Sequence, residues 1–364
     1  MAKYTIEDST LTGIADAIRE KTGGTEAIAV TDMATQIAGI ETGKTFPNGT
    51  EWTSTGISVS HTSLGKGRLC VAGGKYLAGY GTTVLYSTDG KAWQAQSLSK
   101  TVRTIAYGDG KWIIGTVSDS MLYSTDGLTW IDSGSPPYSF NAIEYHNGIW
   151  VGCDWDKGIY YSTNGIDWII SNATISGFSV LEFANGVWMA CNNNGKGLYR
   201  STDGKSWSVV SALSSAQSWV TVVHRNGLWQ ASGNGTCYSV DGVNWTTSNG
   251  GLMSSIEYGD GVWVAGRYHA DGGMYYSTDG KSWSKANIQA PSGAGAWYVY
   301  YANGVFVASD GLVGCGLYYS TDGINWIQTN VTSGTLAGAQ CSKGIWVAGA
   351  YGPGLIYSVG WEPS

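Results

Sequence analysis

A tryptophan that follows a Gly-containing turn returns eight times along this chain, at Trp52, Trp93, Trp130, Trp168, Trp207, Trp245, Trp283 and Trp326. The successive spacings are 41, 37, 38, 39, 38, 38 and 43 residues. A period near 40 constrains the fold severely: each copy must be one supersecondary unit, and it must bury its faces against its neighbours. A second word, a tight turn followed by an aromatic strand, recurs at the same period as GGKYLAG, GDGKWIIG, HNGIWVGC, ANGVWMAC, RNGLWQAS, GDGVWVAG, ANGVFVAS and SKGIWVAG.

One period holds four short runs. In the unit ending near Trp283 they are SSIEY (254–258), VWVAG (262–266), MYYS (274–277) and SWSKA (282–286). Each run is β-branched or aromatic and is bounded by Gly, Asn or Asp, as strands joined by tight turns require. The chain also carries 54 Gly, 18 Trp and 23 Tyr in 364 residues, with only 13% charged residues. That composition favours an all-β chain. Four-stranded units of about 40 residues in eight copies predict an eight-bladed β-propeller of antiparallel blades, strands A to D running from the axis outward. An open solenoid is the alternative. The two ends favour the ring. The last unit has A, B and C strands and almost no room for D, while FPNGTEWTSTG (46–56) is a turn and a D strand without its own A, B and C. The N-terminal strand is therefore expected to complete the eighth blade, which removes exposed strand edges.

The net charge of −7 speaks against nucleic acid and against an anionic membrane surface, both of which need a basic face. No apolar run reaches the roughly 18 residues of a membrane helix, so membrane insertion is not expected. The opening MAKYTIEDST carries no apolar signal segment, so export by that route is not expected either. Six cysteines without a CxxC pair, with four histidines, make a zinc site improbable, and no cofactor is expected. Cys153 and Cys191 fall at equivalent places in IWVGC and VWMAC and read as buried apolar thiols.

The words ending in the periodic tryptophan resemble the Asp-box of sialidases and many other propellers. Full S-T-D-G-x-x-W copies are Ser87–Trp93, Ser124–Trp130, Ser201–Trp207, Ser277–Trp283 and Ser320–Trp326. Ser162–Trp168 has Asn164 for Asp, and Ser239–Trp245 has Val240 for Thr. The copies here are one residue shorter between Asp and Gly than the sialidase form. The resemblance implies a structural turn between strands C and D, remote from any catalytic centre. The chemistry of the residues agrees. Asp89, Asp126, Asp203, Asp241, Asp279 and Asp322 can accept hydrogen bonds from N–H groups two and three residues on, while Gly supplies positive φ. Trp93, Trp130, Trp168, Trp207, Trp245, Trp283 and Trp326 fit as wedges at the outer strand.

Residues 1–43 differ from the remaining 44–364. Leu11, Ile14, Ala15 and Ile18 have helical spacing, capped by Asp8 or Ser9 and ended by Gly23. Thr31, Met33, Ile37 and Ile40 repeat the design. The segment TLTGIADAIREKTGGTEAIAVTDMATQIAGI resembles the N-terminal module of tail-fibre and other virion tail proteins of bacteriophages. The resemblance implies a virion tail location, assembly in the host cytoplasm, contact with other tail proteins through residues 1–43, and host attachment. A homo-oligomer is compatible with it.

In a four-stranded meander the A–B and C–D turns share one end, and the B–C and D–A connections share the other. The first set is nearly invariant from blade to blade; the second varies in length and chemistry, which is where recognition usually sits on a rigid scaffold. The candidate ligand residues on that end are Tyr80, Asp154, Trp155, Asp156, Arg267, Tyr268, His269 and Tyr351 from B–C loops. Trp219 and Trp297, together with Tyr138 and Phe140, come from D–A connections, with Asn192, Asn193, Asn194 and Asp310 as polar company. Aromatic rings beside amides, carboxylates and a guanidinium suit a sugar. Phe140, Trp219 and Trp297 could instead plug the top of the channel. CDWDKG and GRYHADGG offer carboxylates to Ca²⁺ but lack alternating oxygen ligands. Glu144, Glu182 and Glu257 fall at equivalent A-strand positions, where they could line the channel or bind a cation; satisfied buried hydrogen bonds are the expected role. The functional expectation is a binding protein for a host-surface glycan. The alternatives are a protein–protein platform in the virion and a glycosidase. With Arg68 and Arg103 the only arginine pair in adjacent A strands, an enzyme is not expected.

Overall fold

The structure is a computed structural model that describes residues 52–56, 67–117, 120–134, 139–213, 218–233, 235–267, 273–289, 297–310, 316–332, 336–342, 345–350 and 354–359. The expected helices of residues 1–43, and Tyr138, Tyr268, His269 and Tyr351, lie outside the described residues.

Eight antiparallel sheets follow one another along the chain. In the sixth blade the strands are Met253–Gly259 (A), Val262–Arg267 (B), Met274–Ser277 (C) and Ser284–Lys285 (D). The other blades repeat this order. The D strands of blades 2 to 6 are shorter than their sequence runs promise, only two residues each, so the outer edges present little free strand.

The eighth blade is closed as expected. Thr53–Ser54 pairs antiparallel with Gly354–Val359, Thr53 opposite Tyr357 and Ser54 opposite Ile356. One core cluster joins Ile345, Val347 and Leu355 of blade 8 to Leu69, Tyr76 and Leu85 of blade 1, so the ring shuts and the solenoid alternative is excluded.

The core is not central. It is divided among the eight junctions between neighbouring blades, each with its own cluster. The B-strand aromatic of the second repeated word supplies the large ring at each junction: Tyr76, Trp112, Trp150, Trp188, Trp229, Trp263, Phe306 and Trp346 are each 2% exposed or less. Rings of this size bury about 150–250 Å² apiece, which explains how a chain with few aliphatic runs holds a ring together.

The A–B turns follow from their dipeptides. Asp109, Asn147, Asn185, Asn226, Asp260 and Asn303 have φ between 46° and 51°, and each is followed by a Gly of positive φ. Two successive positive φ values define the tight hairpin turn that Asn-Gly and Asp-Gly favour.

Two features go beyond the repeat pattern. Asn287–Ile288 adds a parallel pair to the D strand of blade 7, with Asn287 opposite Asn325. Register shifts also interrupt the A strands of blades 2, 3, 4, 6 and 8 just after their first residue. In four of them the residue freed from the ladder is Arg103 in blade 2, Asn141 in blade 3, Ser179 in blade 4 and Ser254 in blade 6. A bulge re-aims the side chain it frees; Ser179 and Ser254 line a cavity in the channel, and Arg103 and Asn141 reach the next blade.

Candidate binding surface at the loop end of the channel

The turn end is built from one repeated device. In each box the Ser Oγ accepts from the Gly N–H, at 2.9 Å for Ser277 and Gly280, and donates to the Asp, at 2.9 Å for Asp279 Oδ1. The Asp Oδ1 then accepts from the N–H groups two and three residues on, at 2.7 Å from Lys281 and 2.8 Å from Ser282. Blade 3 does the same with Asn164, whose Oδ1 accepts from Ile166 at 2.8 Å and Asp167 at 2.9 Å. In four boxes the indole closes the turn by donating to the box Gly carbonyl, as Trp93 does to Gly90 at 2.9 Å. Hydrogen bonds to the charged form hold the carboxyls low. The N–H groups of Thr129 and Leu128 lower Asp126, and those of Ser282 and Lys281 lower Asp279.

Neighbouring blades are clasped by a residue outside both repeated words. At three junctions an asparagine four residues after the box tryptophan grips the backbone of the next blade's tryptophan. Asn172 Oδ1 accepts from Trp207 N at 2.7 Å, Asn249 Oδ1 from Trp283 N at 2.8 Å and Asn330 Oδ1 from Trp52 N at 2.8 Å. Asn330 Nδ2 also donates to Trp52 O at 2.9 Å, directly across the closing seam. The offset of four from the tryptophan is the sequence signal they share, but Asn287 at the same offset from Trp283 instead donates to Asn325 Oδ1 at 3.2 Å.

At the loop end the expected residues separate. The rings of Trp219 and Trp297 are 0% exposed and sit in the clusters between blades 4 and 5 and between blades 6 and 7. Neither offers a face to a ligand; each is the first residue of, or just precedes, an A strand and turns back into the blade interior. Phe140 is buried in the same manner. Asp154 is also buried, and its carboxylate organises its own loop: Oδ1 accepts from Asp156 N and Lys157 N, and Oδ2 accepts from Ser139 N at 2.7 Å. Asn192, fully buried, holds the next loop by donating to Ser176 O and accepting from Asn194 N.

Other candidates reach solvent. Trp155 and Tyr80 are half-buried, Asn193 is half-buried, and Asp156 and Asn194 are exposed. Arg267 donates from Nη1 to Tyr275 OH at 2.8 Å and lies over that ring at 5.4 Å, an arrangement that fixes its guanidinium on its own blade. Asp310 ends the B strand of blade 7, opposite Trp297.

Among the described residues, two cavities open in the channel. One of about 490 Å³ opens among the A strands of blades 4 to 7 at the loop end; Ser179, Asn193, Thr221, Ser254 and Tyr298 line it with hydroxyls and an amide. The other, about 390 Å³, runs along blades 6, 7, 8 and 1. Glu257 and Tyr300 line both, so they stand between them. Burial, then Tyr298 and Glu257, push the Tyr300 phenol up, which keeps it a neutral donor. Glu257 lines the channel, and Arg225 bridges Glu182 and Glu257 from the blade between, at 2.6 Å and 3.3 Å. Glu144 pairs with His146 at 3.3 Å. Tyr80, Trp155, Asp156 and Arg267 line neither cavity.

Cys153 is fully buried, and burial pushes its thiol up to about 12. Among the same residues no group of three or more His, Cys, Asp or Glu could hold a metal ion, and no helix is long and apolar enough to cross a membrane.

No protein-family model matches the chain, and no curated protein matches it in sequence. Solved structures do match. The computationally designed protein Ika8 superposes with a TM-score of 0.63 at 11% identity, over 86% of this chain and 100% of that one. BamB from Moraxella catarrhalis gives 0.61 at 11% identity, over 85% and 98%. YCF48, solved with the D1 peptide bound, gives 0.54 at 14% identity, over 85% and 96%. At these identities the likeness is one of fold alone, and the structure places this chain among the β-propellers, with eight blades of four antiparallel strands.

Proposed function

We propose that the propeller is the host-binding part of a phage virion tail protein and engages a cell-surface glycan at its loop end. The observation that carries this reading is the cavity of about 490 Å³ at the loop-end mouth of the channel, where hydroxyl and amide side chains from four blades converge. Such groups give directional hydrogen bonds to sugar hydroxyls, and the half-buried Trp155 on the same end is an apolar ring suited to stacking. The virion location rests on the sequence resemblance of residues 1–43. The module binds and does not cleave; release of reducing sugar from a bound polymer would overturn that part.

The test is co-sedimentation of the full chain with purified cell envelopes from candidate hosts, before and after enzymatic stripping of surface polysaccharide. Binding lost on stripping supports the reading. Binding that survives stripping but disappears after protease treatment points to a protein platform instead. No binding to any envelope sinks it.

A further inference from the structure

The two cavities of the channel follow one another along the A strands. Thr221 is the first residue of its A strand, and Ser179 and Tyr298 are the second residues of theirs, so the cavity of about 490 Å³ begins at the loop-end mouth. Tyr300 shares a strand face with Tyr298 and lies two residues, about 7 Å, deeper. From Tyr300 and Glu257 the cavity of about 390 Å³ continues to the far ends of the A strands, at Tyr301, Ala302 and Ser342.

The upper cavity holds polar side chains that the protein itself does not satisfy. Ser179, Asn193, Thr221 and Tyr300 line it, and among the described residues none of these four side chains makes a hydrogen bond. Their neighbours do: Ser254 Oγ donates to Trp297 O, and Ser255 Oγ accepts from Val299 N at 3.3 Å. Buried phenols elsewhere in the ring also have partners, Tyr76 OH donating to Ser342 O at 2.8 Å and Tyr318 OH to Gln289 O at 3.2 Å. Thr221 is only 2% exposed and Tyr300 is half-buried. Buried polar groups are normally hydrogen-bonded, so the partners of these four come from what occupies the channel.

Charge is nearly absent from the same walls. Among the described residues lining either cavity, Glu257 is the one charged side chain, and Arg225 already holds it at 3.3 Å. No Lys, Arg or His is among them. An acidic ligand would therefore meet a carboxylate and find no lining cation to replace its lost water. The closed ring sets the direction of entry as well. At the depth of Tyr300 the A strands surround the site, so a polymer cannot lie across it, whereas a chain end fits down it.

We infer that the channel receives the terminal residue of an uncharged sugar chain, held at the mouth by Ser179, Asn193 and Thr221 and at depth by Tyr300. This rests on the host-glycan reading above and specifies its ligand. Hydroxyl and amide groups both donate and accept, as sugar hydroxyls do, so each of the four side chains gains a partner without a charge being buried. Val180, Val220 and Leu252 on the same walls supply apolar surface for the carbon faces of the ring.

Polysaccharide released from candidate-host envelopes is to be separated by anion exchange into neutral and acidic fractions. Each fraction is titrated against the full chain as wild type, Tyr300→Phe and Thr221→Val, with thermal melts to check that the variants fold. The expected result is binding of the neutral fraction at an affinity unchanged by salt, weakened about three- to ten-fold by each substitution, as the loss of one hydrogen bond predicts. Should one variant fail to fold, the other carries the test. Binding of the acidic fraction alone, affinity that falls as salt rises, or equal affinity of wild type and the folded variants overturns the inference. Partial hydrolysis of the neutral fraction at constant mass multiplies its chain ends and should raise binding per unit mass; an unchanged or lower value overturns end-on entry. If both variants sediment with envelopes as fully as wild type, the channel site falls and the host-surface reading stands. A neutral fraction that binds the chain while intact envelopes do not has the opposite meaning.

Discussion

The two ends of this ring are made from the same strands and obey different rules. At the turn end, seven boxes repeat one hydrogen-bond pattern, their acceptor oxygens lying 2.7–2.9 Å from the two N–H groups, and even the Asn164 copy reproduces it. At the loop end no such pattern repeats. One loop is tied by a buried Asp154 and the next by a buried Asn192, while the next blade is reached by Arg103 from one blade and by Ser254 from another. The comparison teaches that repetition marks what the fold needs, and that divergence on a fixed frame marks where chemistry is free to vary.

The contrast can be broken hardest at the turn end. Trp283→Ala empties a ring from the junction of blades 5 and 6, where it is 5% exposed, and is expected to cost about 3–5 kcal/mol in chemical denaturation. Next comes the seam. Asn330→Ala leaves the Trp52 N–H and C=O without their clasp and is expected to cost about 1–3 kcal/mol. Its effect should exceed that of Asn172→Ala, because blades 3 and 4 are also joined directly through the chain whereas the clasped strand at Trp52 comes from the opposite end of the sequence. Equal losses at the two positions would show that closure adds nothing special.

A smaller, collective effect belongs to pH. All six box aspartates have lowered pKa values. For Asp322, burial opposes ionisation, but the Asn325 N–H and amide, the Ile324 N–H and Ser320 outweigh it and bring the value to about 2. A carboxyl whose folded pKa lies below its unfolded value of about 4 stabilises the fold above that unfolded value. The stabilisation is lost as pH falls through the folded value. Thermal melts should therefore be flat above about pH 5 and decline between about pH 4 and pH 2. Asp322→Asn should shallow that decline, since Asn164 shows that an amide oxygen serves the turn without titrating.

The smallest effect on stability is expected at the loop end. Trp155→Ala should change unfolding free energy by no more than about 0.5 kcal/mol, as half-exposed loop positions generally do. It should nevertheless weaken envelope binding in the co-sedimentation assay. A stability loss comparable to that of Trp283→Ala would erase the distinction between the two ends.

The architecture was legible because its determinants are local and repeated. Asn-Gly and Asp-Gly turns, Ser-Thr-Asp-Gly boxes and period-2 runs each act over a few residues, and eight copies average out any single ambiguity. Blade number followed from counting, and closure followed from a turn and D strand read in residues 46–56, of which Thr53–Ser54 pairs with the last strand. The offset of four residues from tryptophan to clasping asparagine is equally visible, but its purpose lies in the next blade, so the repeat alone does not give it a role.

Only the tertiary structure decided which aromatics are surface. Trp155 and Trp219 both neighbour loops, yet one ring is half-exposed and the other entirely covered, because a residue entering an A strand is caught between two blades while a B–C loop residue is not. The structure alone likewise aimed Arg103 at Asn141 of the next blade. Its direction comes from a bulge, and its partners from residues 35 to 38 positions away on adjacent blades. Composition and periodicity record neither, since both describe the chain along itself, and the channel exists only where eight blades face one axis.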